Sequence, residues 1–179
     1  MRARPDSFNA RGARGGMVRL EPMTPEEYAG FIEFSIVDYA DSKFQSGQCA
    51  TRSEALEASQ REFGQIQPGG RTTPGHEFLT IRREDGTRVG TLWLAYPPAR
   101  GASGAYVYSL AVDEAHRRRG YAEAAMRMAE DRARARGQPT IGLNVFGFNA
   151  GARALYDKLG YQVVATLMRK ELTPPPRSP

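Results

Sequence analysis

The chain has 179 residues, of which 40% are hydrophobic and 25% are charged, a balance typical of a soluble globular protein with one substantial core. No run is long and apolar enough to cross a membrane, and the Arg-rich N-terminus lacks the apolar stretch of a secretion signal. Cys49 is the only cysteine, which excludes an intramolecular disulfide and argues against a cysteine-based metal site. These features favour a cytoplasmic protein with no metal and no membrane partner.

The net charge of +5 raises nucleic acid as a possible partner, so the position of that charge in the chain matters. Residues 1–16 hold four Arg and one Asp, and residues 173–179 hold one Arg. Residues 17–172 hold 20 basic and 19 acidic side chains, a net charge of only +1. We therefore expect a disordered basic leader over 1–16, one folded domain over 17–172 and a disordered proline-rich tail over 173–179, with no nucleic-acid role.

A short strand and a long helix are predicted to follow the leader. MVRLEPM is typical of a first strand. In TPEEY, Thr24 is placed to cap a helix, Pro25 to occupy its first position and Glu27 to complete a capping box. The helix is predicted to bury one face, formed by Tyr28, Phe31, Ile32, Ser35, Ile36 and Tyr39.

The next element is predicted to be a second helix. Thr51 and Glu54 form another capping box, and the helix continues to about residue 65. Leu56 and Phe63 are predicted to lie on its inner side.

The rest of the chain alternates strands and helices. EFLTIRR and RVGTLWLAY predict a hairpin, because the Asp-Gly pair between them is a strong turn signal. AYVYSLAV predicts a buried strand, and a helix then runs from Tyr121 to about Gly137. A strand, a short helix and a last strand are predicted in PTIGLNVF, NAGARALYDKLG and YQVVATLMRKEL. This pattern indicates an α+β fold, with helices on the faces of a largely antiparallel sheet.

The helix that begins at Tyr121 has an unusual entrance. A helix start leaves N–H groups without partners and carries a partial positive charge, so a capping side chain or acidic residues normally occur there. Here only Glu123 is acidic, and Gly120 and Ala122 are small. The preceding residues are basic: Arg117, Arg118 and Arg119. A bound anion such as a phosphate would explain this combination, the alternative being that the arginines simply lie on a solvated loop.

Three motifs in this half of the chain carry a family resemblance. RRRGYA, from Arg117 to Ala122, matches the pattern [QR]-x-x-G-x-[GA], and LAV precedes it at Leu110 to Val112. N-x-x-A-x-x-x-Y follows, beginning at Asn149 and ending at Tyr156. In these motifs, and over residues 77–171 as a whole, the chain resembles the GNAT superfamily of acyl-CoA-dependent N-acyltransferases. The resemblance implies a mixed, largely antiparallel sheet of about six to seven strands, helices on both faces and central strands splayed to admit acyl-CoA.

The same resemblance implies an N-acetyltransferase that moves an acetyl group from acetyl-CoA to a primary amine by direct transfer. The backbone amides from Arg117 to Ala122 would hold the pyrophosphate. The pantetheine arm would pair like a strand with Leu110, Ala111 and Val112, one of which would supply the oxyanion donor. Asn149 would bind the arm, and Tyr156 would protonate the departing thiolate, since the phenol and thiol pKa values are similar. Read without the motif, Asn149 is a helix cap and Tyr156 a core residue.

The sequence does not identify a base for the attacking amine. Some members of the superfamily carry a Glu at positions that correspond here to Tyr106 and Asn144, neither of which is a base at neutral pH. His76, Glu77 and Tyr108 are candidates that would act through water, or else are structural. A non-catalytic acyl-CoA-binding module of the same fold is therefore the alternative function.

The acceptor is expected to contact residues 28–76 and 96–104, by the same resemblance. Glu33, Asp38 and Asp41 would attract a cationic amine there, or else form a solvated helix face. Cys49 is interpreted as structural. The sequence leaves both a monomer and a homodimer open.

Overall fold

The computed structural model describes residues 18–96 and 104–170, so the predicted leader, the loop around residue 100 and the predicted tail lie outside the described residues. The described residues form five strands and four α-helices. The strands are β1 Val18–Pro22, β2 His76–Arg83, β3 Arg88–Ala95, β4 Ala105–Val112 and β5 Ile141–Leu143. The helices are α1 Pro25–Gln45, α2 Arg52–Ile66, α3 Tyr121–Ala135 and α4 Ala150–Leu159.

The five strands form one mixed sheet in chain order. The first three pairings are antiparallel, whereas β4 and β5 run parallel. The hairpin predicted across the Asp-Gly turn is confirmed as β2 and β3, and the predicted strand AYVYSLAV is β4. Parallel pairing of β4 and β5 is possible because α3 supplies the long crossover between them.

Both N-terminal helices begin at the predicted capping boxes. The N–H of Glu27 donates to Thr24 Oγ1 (3.2 Å), and Glu27 in turn accepts from the N–H of Thr24 (3.0 Å). Thr51 and Glu54 repeat the arrangement at 3.2 and 3.3 Å. Glu27 also pairs with Arg82 of β2, so the same carboxylate that caps α1 fixes the helix to the sheet.

Helices cover both faces of the sheet, as predicted. Phe78 and Trp93 point to one face, where they pack with Phe31 of α1 and Phe63 of α2. Side chains alternate along a strand, so Leu79 and Ile81 point to the opposite face, where their cluster includes the α3 residues Ala125, Met126 and Ala129. The described helices include none with both the length and the hydropathy needed to cross a bilayer.

The buried face of α2 differs in part from the prediction. Phe63 is buried as predicted, but the prediction for Leu56 is wrong, because this side chain is 36% exposed. The hydroxyl of Ser59 donates to the carbonyl oxygen of Ile36 at 2.8 Å, which brings the small side of α2 against α1 and turns Leu56 outward. The buried residues of α2 are Ala55, Ser59, Phe63 and Ile66.

The described residues form fewer strands than the six to seven that were predicted. PTIGLNVF is paired only from Ile141 to Leu143. The predicted last strand, residues 161–172, forms no strand over its described part, 161–170. A strand needs a neighbour along its length, and the three-residue β5 offers too short an edge for a segment of this size.

Candidate functional site

The edge of β4 that faces β5 is paired for only three residues. The parallel register runs from Ala105 opposite Ile141 to Val107 opposite Leu143, whereas β4 continues to Val112. Within the described residues, no strand pairs with that edge beyond Val107. The C-terminal half of β4 therefore presents strand-type backbone groups to an opening beside the sheet.

A β-bulge in β4 lies where this pairing ends. Trp93 of β3 pairs with Ser109 and Leu94 with Val107, so Tyr108 is the extra residue. A bulge of this kind changes which backbone groups face each edge of a strand. The ring of Tyr108 stacks on Trp93 at 4.6 Å between centroids and on His76 at 5.8 Å, so the bulge rests on an aromatic layer.

The hydrogen bonding after the bulge shows which groups of β4 face the opening. The N–H of Asp113 donates to the carbonyl oxygen of Val89 in β3 (2.9 Å). Because backbone groups alternate along an antiparallel strand, the groups of Ala111 also face β3, and those of Leu110 and Val112 face the opening. Of the three β4 residues predicted to pair with a ligand, the structure thus places two on the open edge and turns the backbone groups of Ala111 away from it.

The loop after β4 passes twice through the left-handed backbone region. Arg118 has φ of 63°, and Gly120 has φ of 83°. Gly120 adopts this conformation without strain, whereas a residue with a Cβ atom loses about 1–2 kcal/mol there. Backbone strain of this kind is concentrated at ligand-binding sites in proteins, which makes the conformation of Arg118 informative.

α3 begins with no side-chain cap, as the sequence predicts. Gly120 is the N-cap residue. The first hydrogen bond of the helix is donated by the N–H of Ala124 to the carbonyl oxygen of Gly120 (3.0 Å). The N–H of Arg117 donates to the carbonyl oxygen of Glu114 (3.2 Å). Across residues 18–96 and 104–170, no carbonyl or side chain accepts from the N–H groups of residues 118–123. Five of the six amides predicted to bind an anion are therefore open, and they converge at the positive end of a helix.

The side chains around this loop leave it strongly positive. Arg117, Arg118 and Arg119 are exposed, and none forms an ion pair with a carboxylate of the described chain. Glu123 does not neutralise them, because it pairs with Lys158 of α4 (2.6 Å) and Arg127 (3.2 Å). The hydrogen bond from Lys158, followed by that from Arg127, lowers the pKa of Glu123.

The two residues predicted on α4 lie at opposite ends of that helix. Asn149 caps it, since its Oδ1 accepts from the N–H of Ala152 (3.0 Å). Tyr156 is half-buried, and burial raises the pKa of its phenol, which therefore stays protonated at neutral pH. Its ring packs against the same hydrophobic cluster as Leu110 and Val112, so the fold brings these three predicted residues to one side of the sheet.

Two of the predicted candidates for a base are held in the protein's own contacts. Glu77 accepts from Arg132 (3.2 Å) and from the hydroxyl of Tyr96 (3.4 Å) through Oε2, and its Oε1 pairs with Arg136. The Nδ1 of His76 accepts from Trp93 Nε1 (3.0 Å), which leaves the proton of the neutral ring on Nε2. Both side chains therefore have structural roles in this arrangement.

Two aspartates of α1, Asp38 and Asp41, were predicted to attract a cationic amine. Asp41 pairs with Arg52 (2.7 Å), whereas Asp38 has no ion pair within the described residues. Partial burial and then the charge of Asp41 raise the pKa of Asp38, and the charge of Arg117 opposes this shift. Asp38 thus lies within the electrostatic reach of the arginine loop.

Sequence reasoning missed two aromatic residues in the loop between β5 and α4. Phe146 lies 6.0 Å from Tyr39 between ring centroids and stacks on Phe148 at 5.5 Å, and Phe148 is exposed. The available signal was the placement of two aromatic residues around Gly147 just before the cap of α4. These rings pack the loop between β5 and α4 against α1.

Comparison with known proteins assigns the chain to a family. The model of the family described as "Acetyltransferase (GNAT) family" matches residues 44–161. Two Bacillus subtilis proteins, both named uncharacterized N-acetyltransferases, are similar over most of their length. YdgE is 37% identical over 153 residues (86% of this chain and 97% of YdgE), and YycN is 30% identical over 155 residues (87% and 99%).

Solved structures agree with this assignment. The crystal structure of YycN superimposes with a TM-score of 0.81 and 29% identity, covering 88% of this chain and 99% of YycN. A Pyrococcus furiosus protein described as an acetyl transferase shares the fold, with a TM-score of 0.57 and 23% identity over 86% and 99% of the two chains. From its sequence and its fold, the chain belongs to the GNAT acetyltransferase family.

Proposed function

We propose that the protein is a cytoplasmic N-acetyltransferase that moves an acetyl group from acetyl-CoA to a primary amine of a small molecule or protein by direct transfer, without a metal. The observation that carries the proposal is the row of open N–H groups over residues 118–123, at the entrance of a helix preceded by three exposed arginines. Such a row has the geometry and the charge that suit a pyrophosphate.

The opening beside β4 suits the rest of the donor. In this proposal β4 and β5 are splayed beyond Val107, and the pantetheine arm lies against the free edge of β4. The N–H of Leu110 faces this opening, so it can pair with the arm or stabilise the oxyanion. Val112 contributes its N–H only, because its carbonyl oxygen already accepts from Arg117 Nε (3.1 Å). Asn149 would reach the arm from the start of α4.

The chemistry requires one proton to be donated and one to be removed. The amine nitrogen forms a bond to the acetyl carbon, the carbon–sulfur bond breaks, and the thiolate takes a proton from the phenol of Tyr156. Burial keeps this phenol protonated, which suits a general acid. The amine loses its proton to water, because Glu77 and His76 are engaged elsewhere.

The test is a calorimetric titration with acetyl-CoA, followed by detection of free thiol in the presence of a panel of primary amines. We expect binding, and thiol release with at least one amine class. In the Tyr156→Phe variant we expect acetyl-CoA affinity to be retained and turnover to fall by at least about tenfold, because only the acid is removed. Undiminished turnover in this variant would mean that a group other than Tyr156 protonates the departing thiolate.

The second candidate function is a non-catalytic acyl-CoA-binding module. The engagement of both Glu77 oxygens favours it, because this removes a carboxylate that was a candidate base. Tight acetyl-CoA binding with no thiol release for any amine would support this module and contradict the transferase. Absence of binding would contradict both.

A further inference from the structure

A cavity of about 230 Å³ lies where β1 ends beside the start of β2. Its charged and polar lining consists of Arg71, His76, Glu77 and Arg132. β3 separates this part of the sheet from β4, and none of the residues proposed to bind acetyl-CoA lines the cavity. The cavity is therefore distinct from the opening beside β4.

Arg71 supplies a cation without an ion-pair partner. It is exposed and, within residues 18–96 and 104–170, its side chain forms no hydrogen bond or ion pair. Hydrogen bonds, and to a smaller extent the charge of Arg71, lower the pKa of Glu26, but the two side chains form no ion pair. The turn that carries Arg71 is fixed, because the hydroxyl of Thr73 donates to the carbonyl oxygen of Gly70 (2.8 Å). A guanidinium placed in this way can bind an anion from solution.

Arg132 supplies a second guanidinium, which the protein holds in a fixed position. Its Nη1 donates to Glu77 Oε2 (3.2 Å), and its Nη2 donates to the carbonyl oxygen of Leu20 (3.4 Å). Arg136 also pairs with Glu77, so one carboxylate serves two guanidinium groups. Within the lining, Arg71 and Arg132 carry two positive charges against the single negative charge of Glu77. One positive charge is therefore left for a ligand to neutralise.

His76 adds a neutral donor to the lining. Its Nδ1 accepts from Trp93 Nε1 (3.0 Å), so the neutral ring carries its proton on Nε2. Within the described part of the chain, nothing accepts from this N–H. Burial lowers the pKa of His76, which keeps the ring neutral at neutral pH. The ring therefore offers a hydrogen bond to an anion without adding a charge.

The rest of the lining is apolar. It consists of Pro22, Met23, Phe78 and Leu79. Ligand sites commonly combine such an apolar wall with a few polar groups that fix the orientation of the ligand. A ligand that fills this cavity thus has one charged end and a short apolar body.

We propose that the cavity binds a small aliphatic monocarboxylate, with its carboxylate between Arg71 and Arg132 and its hydrocarbon chain on the apolar lining. Guanidinium groups bind carboxylates in a forked geometry, in which two N–H groups donate to the two oxygens. A carboxylate carries the single negative charge that the lining leaves open, whereas a phosphate dianion would place an additional negative charge near Glu77. This binding does not depend on the proposed acetyl transfer.

The chain's own carboxylates are the competing occupants of the cavity. The residues outside the described ranges include two acidic side chains, Asp6 and Glu171. Residues 97–103 include none, although they follow Tyr96, whose hydroxyl donates to Glu77 in the lining. A ligand from solution is therefore the occupant that the charges of the cavity favour.

The test is a titration with sodium butyrate at constant ionic strength, followed in proton–nitrogen NMR spectra of the full chain. The backbone signals of Met23 and of residues 76–79 should shift and saturate, whereas those of residues 118–123 should not move. Acetate should bind more weakly than butyrate by about fourfold for each missing methylene, the value for burying one such group. Butyramide, which has the same chain without the charge, should cause no shift.

Arg71→Gln should weaken butyrate binding by at least about tenfold, because it removes the cation that has no partner in the protein. The substituted side chain makes no hydrogen bond or ion pair within the described residues, so the fold should be retained and the other signals should stay in place. The matched control is Arg61→Gln, which removes the charge of an exposed arginine on α2 outside the cavity and should leave butyrate affinity unchanged.

Three results would overturn the proposal: signals of residues 76–79 that do not shift, equal binding of butyramide and butyrate, or equal affinity of Arg71→Gln and the wild type. Butyrate binding lost in Arg119→Met instead would place the anion at the arginine loop and would also overturn it. So would binding that appeared only in Asp6→Asn or Glu171→Gln, since one of the chain's own carboxylates would then fill the cavity.

Discussion

Arg117 donates a hydrogen bond from Nε to the carbonyl oxygen of Val112, 3.1 Å away, and so joins the arginine loop to the last residue of β4. The loop holds the open amides, and the strand holds the free edge beside them. This contact fixes the two halves of the candidate site relative to each other. A ligand that spans both halves would gain affinity from a site arranged in advance.

The first prediction separates this hydrogen bond from the charge of the arginine. Arg117→Met and Arg119→Met each remove one positive charge, but only Arg117 bonds to Val112. A hydrogen bond of this type contributes about 0.5–1.5 kcal/mol, so Arg117→Met should weaken coenzyme A binding by about 2- to 12-fold more than Arg119→Met does. Calorimetry at two salt concentrations measures both effects. Equal losses in the two variants would mean that the contact does not organise the site.

The second prediction concerns the left-handed backbone at Arg118. Arg118→Ala and Arg118→Asn both remove the charge, but Asn tolerates this conformation better than Ala. The Asn variant should be the more stable of the two by up to about 1 kcal/mol in urea unfolding. Their coenzyme A affinities should have equal salt dependence, because the charge change is the same. A less stable Asn variant would show that the loop does not keep this backbone conformation in solution.

The third prediction concerns the close approach of β3 to β4. A Cβ added at Gly90 would lie 2.2 Å from the carbonyl oxygen of Ala111 and 3.1 Å from Val112 Cα. Gly90→Ala must therefore push β4 outward at the level of the site, which should cost about 1–3 kcal/mol of stability and weaken coenzyme A binding.

The matched control for that change is Gly30→Ala on α1, where the added atom meets nothing within 4 Å. Because Ala is the better helix former, this variant should be more stable by about 0.5–1 kcal/mol, with unchanged ligand affinity. Urea unfolding and calorimetry measure both variants. A Gly90→Ala variant as stable as the wild type would mean that the strands can separate there without loss.

The sequence predicts the local elements of this protein well, because their signals are themselves local. The capping boxes at Thr24 and Thr51, the Asp-Gly hairpin and the uncapped start of α3 each depend on residues close to one another in the chain. The open amides follow from the same short stretch. Such features are fixed before tertiary packing is considered.

The features that the sequence does not reveal depend on distant partners. The outward rotation of Leu56 follows from the contact of Ser59 with Ile36, 23 positions away. The engagement of Glu77 requires Arg132 and Arg136, which lie 55 and 59 positions along the chain. The strand pattern of residues 161–170 is present, but pairing needs an edge that β5 is too short to provide. No periodicity in one segment encodes these relationships.

The last prediction is a pH dependence that arises from His76. Burial lowers the pKa of this ring from its ordinary value of 6.5, and Trp93 Nε1 donates to its neutral Nδ1. In the unfolded chain the ring binds a proton as the pH falls through 6.5, while in the folded chain it remains neutral to a lower pH. The unfolded state then binds more protons, so the free energy of unfolding must fall as the pH drops below 6.5, until the folded ring also protonates.

In His76→Gln this part of the pH dependence should disappear, because the amide oxygen can still accept from Trp93 but does not titrate. Urea unfolding at several pH values between about 7 and 5 measures the slope. The matched control is His116→Gln, which alters the only other histidine of the chain and should leave the slope in place. A slope that persisted unchanged in His76→Gln would mean that the ring beside Trp93 is not its source.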